Sequence, residues 1–380
     1  MKRFKLSLMA ALVSAALAVA GCGGGGGGSG SGNGSTGGTT DPNQIVFDTS
    51  AKTLEPLAGG TMSAAVAINA GGSIVGISDN AAQQVRAVKW SVSSADGSVT
   101  GASQLEPLTG FNYSAAYGLN DNGFMVGESE DAGNTVVAVA WAGGSSAAAR
   151  LAAMAAGKNS AAYGVGASGR IVGEAVNSFD LTLPVYWSSS SVNPVALPTR
   201  NANGTGSAYG IIDNADGSSV IVGESDDHAV RWKISSAGAV GSVEDLGTLA
   251  GHTRSIAMGI NSSGVIVGES EDAAGVAHAA IFKDKTLLGV VIPGFDVIDL
   301  GIGGVKSSAS AINDDSRIAG WSNDTGGSSL TALWLALASP VNVMNTSLSG
   351  SGGSGMALGI NAKSYVVGTK SNKGFVAIPK

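Results

Sequence analysis

The chain has 380 residues, of which 59 are glycine and only one is cysteine, so no disulfide can form within one chain. It carries 21 basic and 28 acidic residues, a formal charge of −7, and this balance argues against nucleic-acid binding. Charged residues make up only 13% of the chain, while Gly, Ala and Ser are abundant, which favours packed sheets over long helices.

The first 21 residues have the organisation of an export signal, which takes no part in the fold. A positively charged start precedes an apolar stretch over residues 6–20, which is too short to cross a membrane comfortably as a helix. The signal ends in Val-Ala-Gly-Cys at Cys22, and this motif resembles the lipobox of bacterial lipoproteins. The resemblance implies that Cys22 becomes the lipidated first residue of the mature chain. The alternative is a free thiol beside an ordinary secretory cleavage site.

Residues 22–44 are predicted to be the lipidated cysteine followed by a flexible tether. Between residues 23 and 40 there are 11 glycines and otherwise only Ser, Thr and Asn, so the segment cannot bury enough apolar surface to offset its chain entropy. Gly23 follows the cysteine where Asp signals inner-membrane retention in enterobacteria. We therefore expect an outer-membrane lipoprotein that is periplasmic or surface-exposed. Without the three positive charges of the signal, the formal charge changes from −7 to −10.

A short pattern then returns seven times: an apolar stretch that ends in Asn, a tight turn, and a stretch of the Ile-Val-Gly type. Its final glycine is found at Gly76, Gly127, Gly173, Gly223, Gly268, Gly320 and Gly368. The residue that ends the first stretch is Asn69, Asn120, Gly166, Ile212, Asn261, Asn313 or Asn361. Farther along, most copies have an aromatic residue: Trp90, Trp141, Trp187, Trp232, Phe282 and Trp334, with Ile378 in the seventh copy. Such a period indicates stacked supersecondary units rather than a conventional enzyme domain.

The first copy predicts four short antiparallel strands, which we name a, b, c and d. Strand a covers residues 63–69, and a turn with Asn and Gly, residue types that tolerate tight turns, leads into strand b at 73–78. Strand c covers 86–90 and strand d covers 103–108. Four such strands are the unit of a β-propeller blade, so residues 45–380 are predicted to form a seven-bladed all-β propeller. We expect the glycine column to relieve crowding near the axis of the ring, and the aromatic column to fill the wider wedge between blades.

The two ends of the repeat region complement each other. Residues 53–57 form a strand d that no strands a, b and c precede, and residues 374–378 form a strand c that no strand d follows. Pairing the two segments closes the ring and hides two open sheet edges. The alternative is an open solenoid, which needs separate caps at both ends.

Residues 244–282 contain Glu-Asp-Leu-Gly-Thr-Leu and end in His-Ala-Ala-Ile-Phe, and residues 228–232 read His-Ala-Val-Arg-Trp. These segments resemble the HAF family of extracellular repeats, and the resemblance covers about residues 53–378. The other copies replace the His. The family implies no established chemistry or ligand.

The residues carry no recognisable catalytic constellation or cofactor motif. His228 and His278 occupy the same column of the repeat, so a framework role is favoured over metal binding, and no His or Cys pair has the spacing of a zinc site. His252 lies in a loop. Residues 213–217, Asp-Asn-Ala-Asp-Gly, suggest either a hairpin turn or a calcium loop; their acidic spacing departs from the EF-hand pattern, which favours the turn.

Two polar columns remain. Tyr117, Tyr163 and Tyr209 recur in strand a, where packing between blades is favoured over a platform for sugars. Strand b has an acid after its glycine in four copies: Glu128, Glu174, Glu224 and Glu269. Further acids follow in the b–c loops, with Asp79 and Asp324 in copies 1 and 6, and bases lie in the d–a loops, on the same side of a closed ring. The candidate binding face therefore contains Glu130, Asp131, Asp226, Asp227, Glu271, Asp272, Lys158, Arg200, Arg254 and Lys306. The alternative is a solvated surface with weak ion pairs.

These observations predict a monomeric, non-catalytic envelope or cell-surface lipoprotein that binds or scaffolds an envelope protein or a glycan through its propeller loops. Two alternatives stay open. One is a hydrolase or lyase that acts on extracellular polysaccharide with the glutamate column. The other is an outer-membrane assembly factor.

Overall fold

The computed structural model of the protein describes residues 51–287, 290–301, 306–323, 327–335, 343–344 and 355–380. The predicted signal, Cys22, the tether and Asp324 lie outside these ranges. Within them, every regular element is a β-strand, and together the strands form seven four-stranded antiparallel sheets. The predicted seven-bladed propeller is therefore confirmed.

Each of blades 1 to 4 uses four strands that are consecutive in the chain. Blade 1 consists of β2 (Ser63–Ile68), β3 (Ser73–Asp79), β4 (Val85–Ser91) and β5 (Ser103–Leu105). Blade 2 consists of β6 (Phe111–Leu119), β7 (Met125–Asp131), β8 (Val136–Trp141) and β9 (Ala148–Arg150). Blade 3 consists of β10 (Ser160–Val165), β11 (Ile171–Val176), β12 (Thr182–Trp187) and β13 (Val195–Ala196). Blade 4 consists of β14 (Gly206–Asp213), β15 (Ser219–Ser225), β16 (His228–Ile234) and β17 (Glu244–Gly247).

Blades 5 and 6 follow the same plan, and blade 7 takes its last strand from the start of the repeat region. Blade 5 consists of β18 (His252–Ile260), β19 (Ile266–Asp272), β20 (Ala277–Leu287) and β21 (Val290–Asp299). Blade 6 consists of β22 (Ser307–Ile312), β23 (Arg317–Asn323), β24 (Ser329–Leu335) and β25 (Val343–Met344). Blade 7 consists of β26 (Gly355–Ile360), β27 (Val366–Lys370), β28 (Lys373–Ala377) and β1 (Lys52–Leu54).

The ring closes as the ends of the repeat region predict. Strand β1 pairs antiparallel with β28, with Thr53 opposite Phe375 and Leu54 opposite Gly374, and the innermost strand of blade 1 contacts all three other strands of blade 7. The pairing covers three residues of β1 rather than the five predicted. Pro56 has no N–H for a ladder, and the carbonyl of Glu55 accepts a hydrogen bond from Trp90 Nε1 in blade 1 (2.9 Å) instead.

The aromatic column fills the wedge between blades, as predicted. All its members are fully buried: Trp90, Trp141, Trp187, Trp232, Phe282 and Trp334. Each Trp also donates Nε1–H to a main-chain carbonyl just after strand d of the preceding blade; Trp141 bonds Glu106, for example, at 2.9 Å. The indole therefore supplies both apolar burial and a fixed bond between neighbouring blades.

A serine column, which the sequence analysis overlooked, joins the blades on their inner side. Five blades have in strand a a buried serine whose Oγ accepts a hydrogen bond from a strand c N–H of the preceding blade: Ser63, Ser114, Ser160, Ser255 and Ser307. Ser63 also donates to the carbonyl of Leu54 at 2.7 Å, and so holds the closing strand β1.

The asparagine at the end of strand a has two roles: it closes its own turn, and it bonds the next blade. In five of the seven a–b turns the asparagine Oδ1 caps the backbone, as Asn69 does by accepting from the N–H of Ser73 at 2.9 Å. The Nδ2 group then donates to the main-chain carbonyl at the same position of the next blade, as Asn69 does to Asn120 at 3.0 Å. Blades 3 and 4 lack the asparagine, and there Asp213 Oδ2 accepts from the N–H of Ser168 at 2.8 Å.

The glycine column relieves crowding within one blade, and this corrects the expectation of crowding between strands around the axis. A Cβ atom at Gly76 would lie 2.0 Å from the carbonyl oxygen of Ala64, on the adjacent strand of the same blade. The close approach between neighbouring blades occurs at a different glycine column in strand a. There, a Cβ atom at Gly118 would lie 2.7 Å from the carbonyl oxygen of Tyr163 in the next blade.

Candidate functional site

Strand a carries a β-bulge at the same position in all seven blades. In blade 1 the ladder shifts register between Ala65 and Ala67, and the intervening residue is unpaired. The bulged residues are Val66, Tyr117, Tyr163, Tyr209, Met258, Ser310 and Leu358. Because a bulge redirects the side chain at which it occurs, each blade presents one such residue at the axis of the ring.

The three tyrosines stack along one side of the axis. The ring centroids of Tyr117 and Tyr163 are 5.7 Å apart, and those of Tyr163 and Tyr209 are 5.4 Å apart. All three side chains are buried in one cluster with aliphatic residues of blades 1 to 3. This arrangement agrees with the packing role favoured from the sequence.

The glutamates of strand b lie beside these tyrosines, toward the face that carries the b–c and d–a loops, which we call the loop face. Glu128 and Glu174 are only 7% and 6% exposed, so both carboxyls are buried within the ring. Glu128 accepts a hydrogen bond from Tyr117 Oη at 2.8 Å, and Glu174 accepts one from Ser207 Oγ of the next blade at 2.5 Å.

Burial raises the pKa of Glu128, Glu174 and Glu269 to about 7, because the charged carboxylate loses its hydration. Hydrogen bonds from hydroxyl groups lower the pKa in each case, and neighbouring carboxylates raise it again. None of these three carboxyls forms an ion pair with another described residue. The arc they form across blades 2, 3 and 5 can therefore hold protons near neutral pH.

The arc does not form a metal site. Among the described residues, no group of three or more His, Cys, Asp or Glu side chains could hold a metal ion. The buried carboxyls can donate or accept a proton, because a carboxyl with a pKa near 7 is partly protonated at physiological pH.

The bases predicted for the binding face pair with acids of the same face. Arg254 bonds Asp227 at 2.8 Å and Glu271 at 3.4 Å, so it joins blades 4 and 5. Three further bases complete the set: Arg200 pairs with Asp245 at 2.7 Å, Lys158 pairs with Asp180, and Lys306 is exposed. The structure thus brings together acids and bases of neighbouring blades, as partly exposed pairs.

Three of the predicted acids also hold their own loops in shape. Asp131 Oδ1 accepts from the N–H groups of Gly133 and Thr135, at 2.8 and 2.9 Å, and closes the b–c turn of blade 2. Asp272 makes the equivalent pair of bonds in blade 5. Asp226 accepts two main-chain N–H groups of the preceding d–a loop, each at 3.0 Å. The remaining acid, Glu130, is half-buried, and burial raises its pKa.

The paired histidines occupy equivalent places in the framework. His228 Nδ1 lies 3.1 Å from a carboxylate oxygen of Asp245, and His278 Nδ1 lies 3.1 Å from one of Asp299. Each aspartate is followed by Leu-Gly at the end of strand d. This repeated Asp-Leu-Gly could have predicted from the sequence that each histidine has an aspartate partner. His252 packs edge-on against His278, with ring centroids 5.2 Å apart.

Residues 213–217 form the hairpin turn favoured from the sequence. The N–H of Asn214 donates to the carbonyl of Ser218 at 2.8 Å, and the N–H of Gly217 donates back to the carbonyl of Asn214 at 3.0 Å. Gly217 has a φ of 81°, a conformation that glycine adopts without strain.

One exposed aromatic residue on the loop face was missed. Four b–c turns share a design in which an Asp or Asn side chain accepts the N–H of the residue two positions on, and that residue is Ala82, Gly133, Phe179 or Ala274. Phe179 is 82% exposed at this position. Comparison of the four turns in the sequence could have revealed it, because the other three have Ala or Gly at this position.

The opposite face, which carries the a–b turns and which we call the turn face, has a cavity on the axis. Its volume is about 210 Å³, and its walls come from the final residues of strand a in every blade. Close to the turns it is surrounded by a collar of aliphatic residues: Ile68, Leu119, Val165, Ile211, Ile260, Ile312 and Ile360. The bulged residues lie deeper in the same cavity.

Solved structures with a similar fold include enzymes and binding proteins of low sequence identity. An ulvan lyase, a polysaccharide lyase, is 10% identical with a TM-score of 0.53, covering 89% of this chain and 98% of that one. A streptogramin B lyase is 11% identical with a TM-score of 0.50, covering 83% and 93%. The β-propeller domain of the Trilobed protease from Pyrococcus furiosus is 8% identical with a TM-score of 0.49, covering 82% and 92%. These similarities concern the fold alone.

No protein-family model matches the chain, and no curated protein sequence matches it. In the described part of the chain, no helix is long and apolar enough to cross a membrane.

Proposed function

We propose that this protein is a non-catalytic binding module whose ligand docks on the loop face of the propeller. One observation supports the proposal: the blades resemble one another closely on the turn face but differ from one another on the loop face. Recognition is commonly placed on the loops of a rigid scaffold, where side chains vary without loss of the fold.

On the turn face, equivalent residues repeat and bond one another. Five asparagine side chains each donate to a carbonyl of the next blade at 2.9–3.1 Å, so these turns have little freedom to adapt to a partner. The loop face differs from blade to blade. It presents Phe179, the Arg254 pairs and the neighbouring His252, each in one blade only.

Phe179 is the residue on which we centre the site. An aromatic ring that is 82% exposed has no role in the core, and its place in the repeat accepts Ala or Gly in other blades. The ion pair between Lys158 and Asp180 lies beside it in the same loop region. An apolar ring bordered by partly exposed charges is the composition of an interface centre with a polar rim.

We further propose that the domain is attached to the outer membrane through a lipid on Cys22, in the periplasm or at the surface, as a member of the HAF repeat family. The lipobox-like motif and the Gly-rich residues after it support this attachment. An envelope protein or a glycan is then the partner within reach. If the partner is a protein that assembles the outer membrane, the domain has a role in that assembly.

The test is a binding screen of residues 41–380 against purified envelope glycans and envelope proteins. For any partner found, Phe179→Ala is expected to weaken binding by about tenfold, the usual cost of removing a central aromatic anchor. The matched control is Val192→Ala, an exposed apolar residue in the c–d connection of the same blade. Equal affinity of the Phe179 variant and the unmodified domain would place the site elsewhere.

A second candidate is a lyase or hydrolase that acts on polysaccharide. Its favouring observation is the arc of buried carboxyls whose pKa is raised to about 7, because a general acid or base works best with a pKa near the working pH. The similar ulvan lyase fold acts on a polysaccharide, which defines a substrate class to assay. New reducing ends or new unsaturated sugars, abolished by Glu128→Gln or Glu174→Gln, would establish the enzyme and end the non-catalytic proposal.

A further inference from the structure

The axial cavity on the turn face is built from all seven blades and does not overlap the proposed docking face. Its collar of seven aliphatic side chains lies one residue before the turn position of each blade. Several collar residues, including Ile68, Ile312 and Ile360, are 8–9% exposed, so they are held rigidly by the ring. A site with fixed walls binds a small ligand without the cost of ordering loops.

The deeper wall of the cavity is uneven in a way that indicates a preferred orientation for a ligand. The stacked rings of Tyr117, Tyr163 and Tyr209 line it on the side of blades 2 to 4. Blade 6, on the other side of the ring, has Ser310 at the same bulge position, where every other blade has a larger side chain. The exchange of a large side chain for serine enlarges the cavity on that side.

Ser310 also has an unmet hydrogen bond. Its Oγ atom is buried and has no hydrogen-bond partner among the described residues. A buried hydroxyl without a hydrogen-bond partner is unfavourable, and a ligand that bonds it removes this cost. The residue forms part of the cavity wall, so rotation about its Cα–Cβ bond brings the hydroxyl to a molecule inside.

We propose that the axial cavity is a binding site for a small monocyclic alcohol, of the size and chemistry of a phenol. The ring of the ligand packs between the tyrosine side and the aliphatic collar, and its hydroxyl bonds Ser310. The volume of about 210 Å³ suits this class, since an apolar protein cavity of roughly 150 Å³ is sufficient for benzene. The inference goes beyond the proposed function, because it concerns the other face and a different kind of ligand.

The test uses residues 41–380, with phenol, cyclohexanol and benzene as probes, followed by calorimetry and by chemical-shift changes of the protein. Phenol and cyclohexanol are expected to bind, and benzene about fivefold or more weakly, because it leaves Ser310 unbonded. Ser310→Ala is expected to bring phenol to the affinity of benzene. Ser310→Leu is expected to fill the enlarged part of the cavity and remove binding of all three.

The matched control is Ser262→Ala, an exposed serine in the a–b turn of the adjacent blade, which is expected to bind like the unmodified domain. Circular dichroism checks that each variant is folded. If Ser310→Leu does not fold, the chemical shifts of the unmodified domain locate the site instead, because phenol in the cavity must perturb Tyr163 and Ile260. The proposal is overturned by absence of phenol binding, by unchanged binding in a folded Ser310→Leu variant, or by unchanged phenol affinity in the Ser310→Ala variant.

Discussion

Asn361 donates a hydrogen bond from Nδ2 to the main-chain carbonyl of Asn69, 2.9 Å away, and so joins blade 7 to blade 1. The two residues are 292 positions apart in the chain. Every other asparagine link joins blades that follow each other along the chain, whereas the chain connects blade 7 to blade 1 only through the short strand β1. This one, with the pairing of β1 and β28, acts where the chain itself does not hold the ring together.

Replacement of Asn361 by Asp is expected to destabilise the fold by about 1–3 kcal/mol, because it removes the buried Nδ2 donor and puts a carboxylate oxygen beside the carbonyl oxygen of Asn69. That carbonyl then keeps only its bond from the N–H of Gly72. The Oδ1 acceptor that caps its own turn stays. Denaturant unfolding measures the difference. The control is Asn122→Asp, an exposed residue with a long 3.4 Å bond to the next blade, where little change is expected. Equal losses in both variants would contradict a special role for the buried link.

Truncation of the chain after Gly368 is expected to lower the free energy of unfolding by several kcal/mol. It removes β28, and with it the only described partner strand of β1, so two sheet edges are exposed. Thermal and denaturant unfolding are the measurements. The control is deletion of Lys380 alone, which lies beyond the last strand. If the truncated chain unfolds at the same temperature as the full chain, the ring closure is not a source of stability.

The stability of the fold is expected to decrease as the pH rises from about 4.5 to about 7. Burial raises the folded-state pKa of Glu128, Glu174 and Glu269 to about 7, above the ordinary value of 4.5 in the unfolded chain. The folded state therefore holds protons more tightly, and this stabilisation is complete below pH 4.5 and is lost as the pH reaches the folded-state pKa. Each carboxyl contributes about 3 kcal/mol at full protonation.

Melting temperatures across this pH range test that expectation. The triple variant with Gln at Glu128, Glu174 and Glu269 is expected to show a flatter profile and to exceed the unmodified domain in stability at pH 8. The control replaces Glu55 and Glu106, which directly follow the outer strands β1 and β5, with Gln. A profile as steep in the buried-site variant as in the unmodified domain would assign the pH dependence to other groups.

Cys22→Ala is expected to move the protein from the membrane fraction to the soluble fraction, because a lipid chain cannot be attached without the thiol. Detergent partitioning and metabolic labelling with a fatty acid are the measurements, and Ser29→Ala is the control within the tether. Unchanged partitioning of the Cys22 variant would refute lipid anchoring at this residue.

Conversion of the six acids of the candidate face to Asn and Gln is expected to leave the fold intact. Asn at positions 131 and 272 keeps the single oxygen that accepts both loop N–H groups, and Asn at position 226 keeps one of its two accepting oxygens. The lost ion pairs are partly exposed and weak. Binding of a loop-face partner is expected to weaken. Circular dichroism and affinity measurements check both parts. Full-strength binding would show that these acids lie outside the interface, and unfolding would show that their charge is structural.

The four strands of each blade could be predicted from the sequence because the same residue types recur in each repeat. The glycine of strand b and the aromatic residue of strand c are 14 residues apart in five of the seven copies, as Gly76 and Trp90 are. The unpaired strand at each end of the repeat region predicts the closing pair. The bulge could not be predicted, because residues as different as Tyr117 and Ser310 occupy it and only their distance from the turn is constant.

The candidate site was predicted less completely, because its contacts cross between blades. That Arg254 meets Asp227 depends on the rotation and height of one blade relative to the next, which no local pattern records. The depth of Glu128 has the same origin: its position beside a glycine was evident, but its cover by Tyr117 follows from the bulge in the neighbouring strand. Phe179, in contrast, was accessible to comparison of the turns with one another.

The bulge in strand a separates two tasks within each repeat. The residues on either side of it, such as Ala65 and Ala67, remain in the ladder, while Val66 between them makes no ladder pair. Substitution at the bulge therefore changes what the axis presents while the sheet keeps its hydrogen bonds. The seven bulge positions of this chain can therefore be substituted one blade at a time without loss of ladder hydrogen bonds.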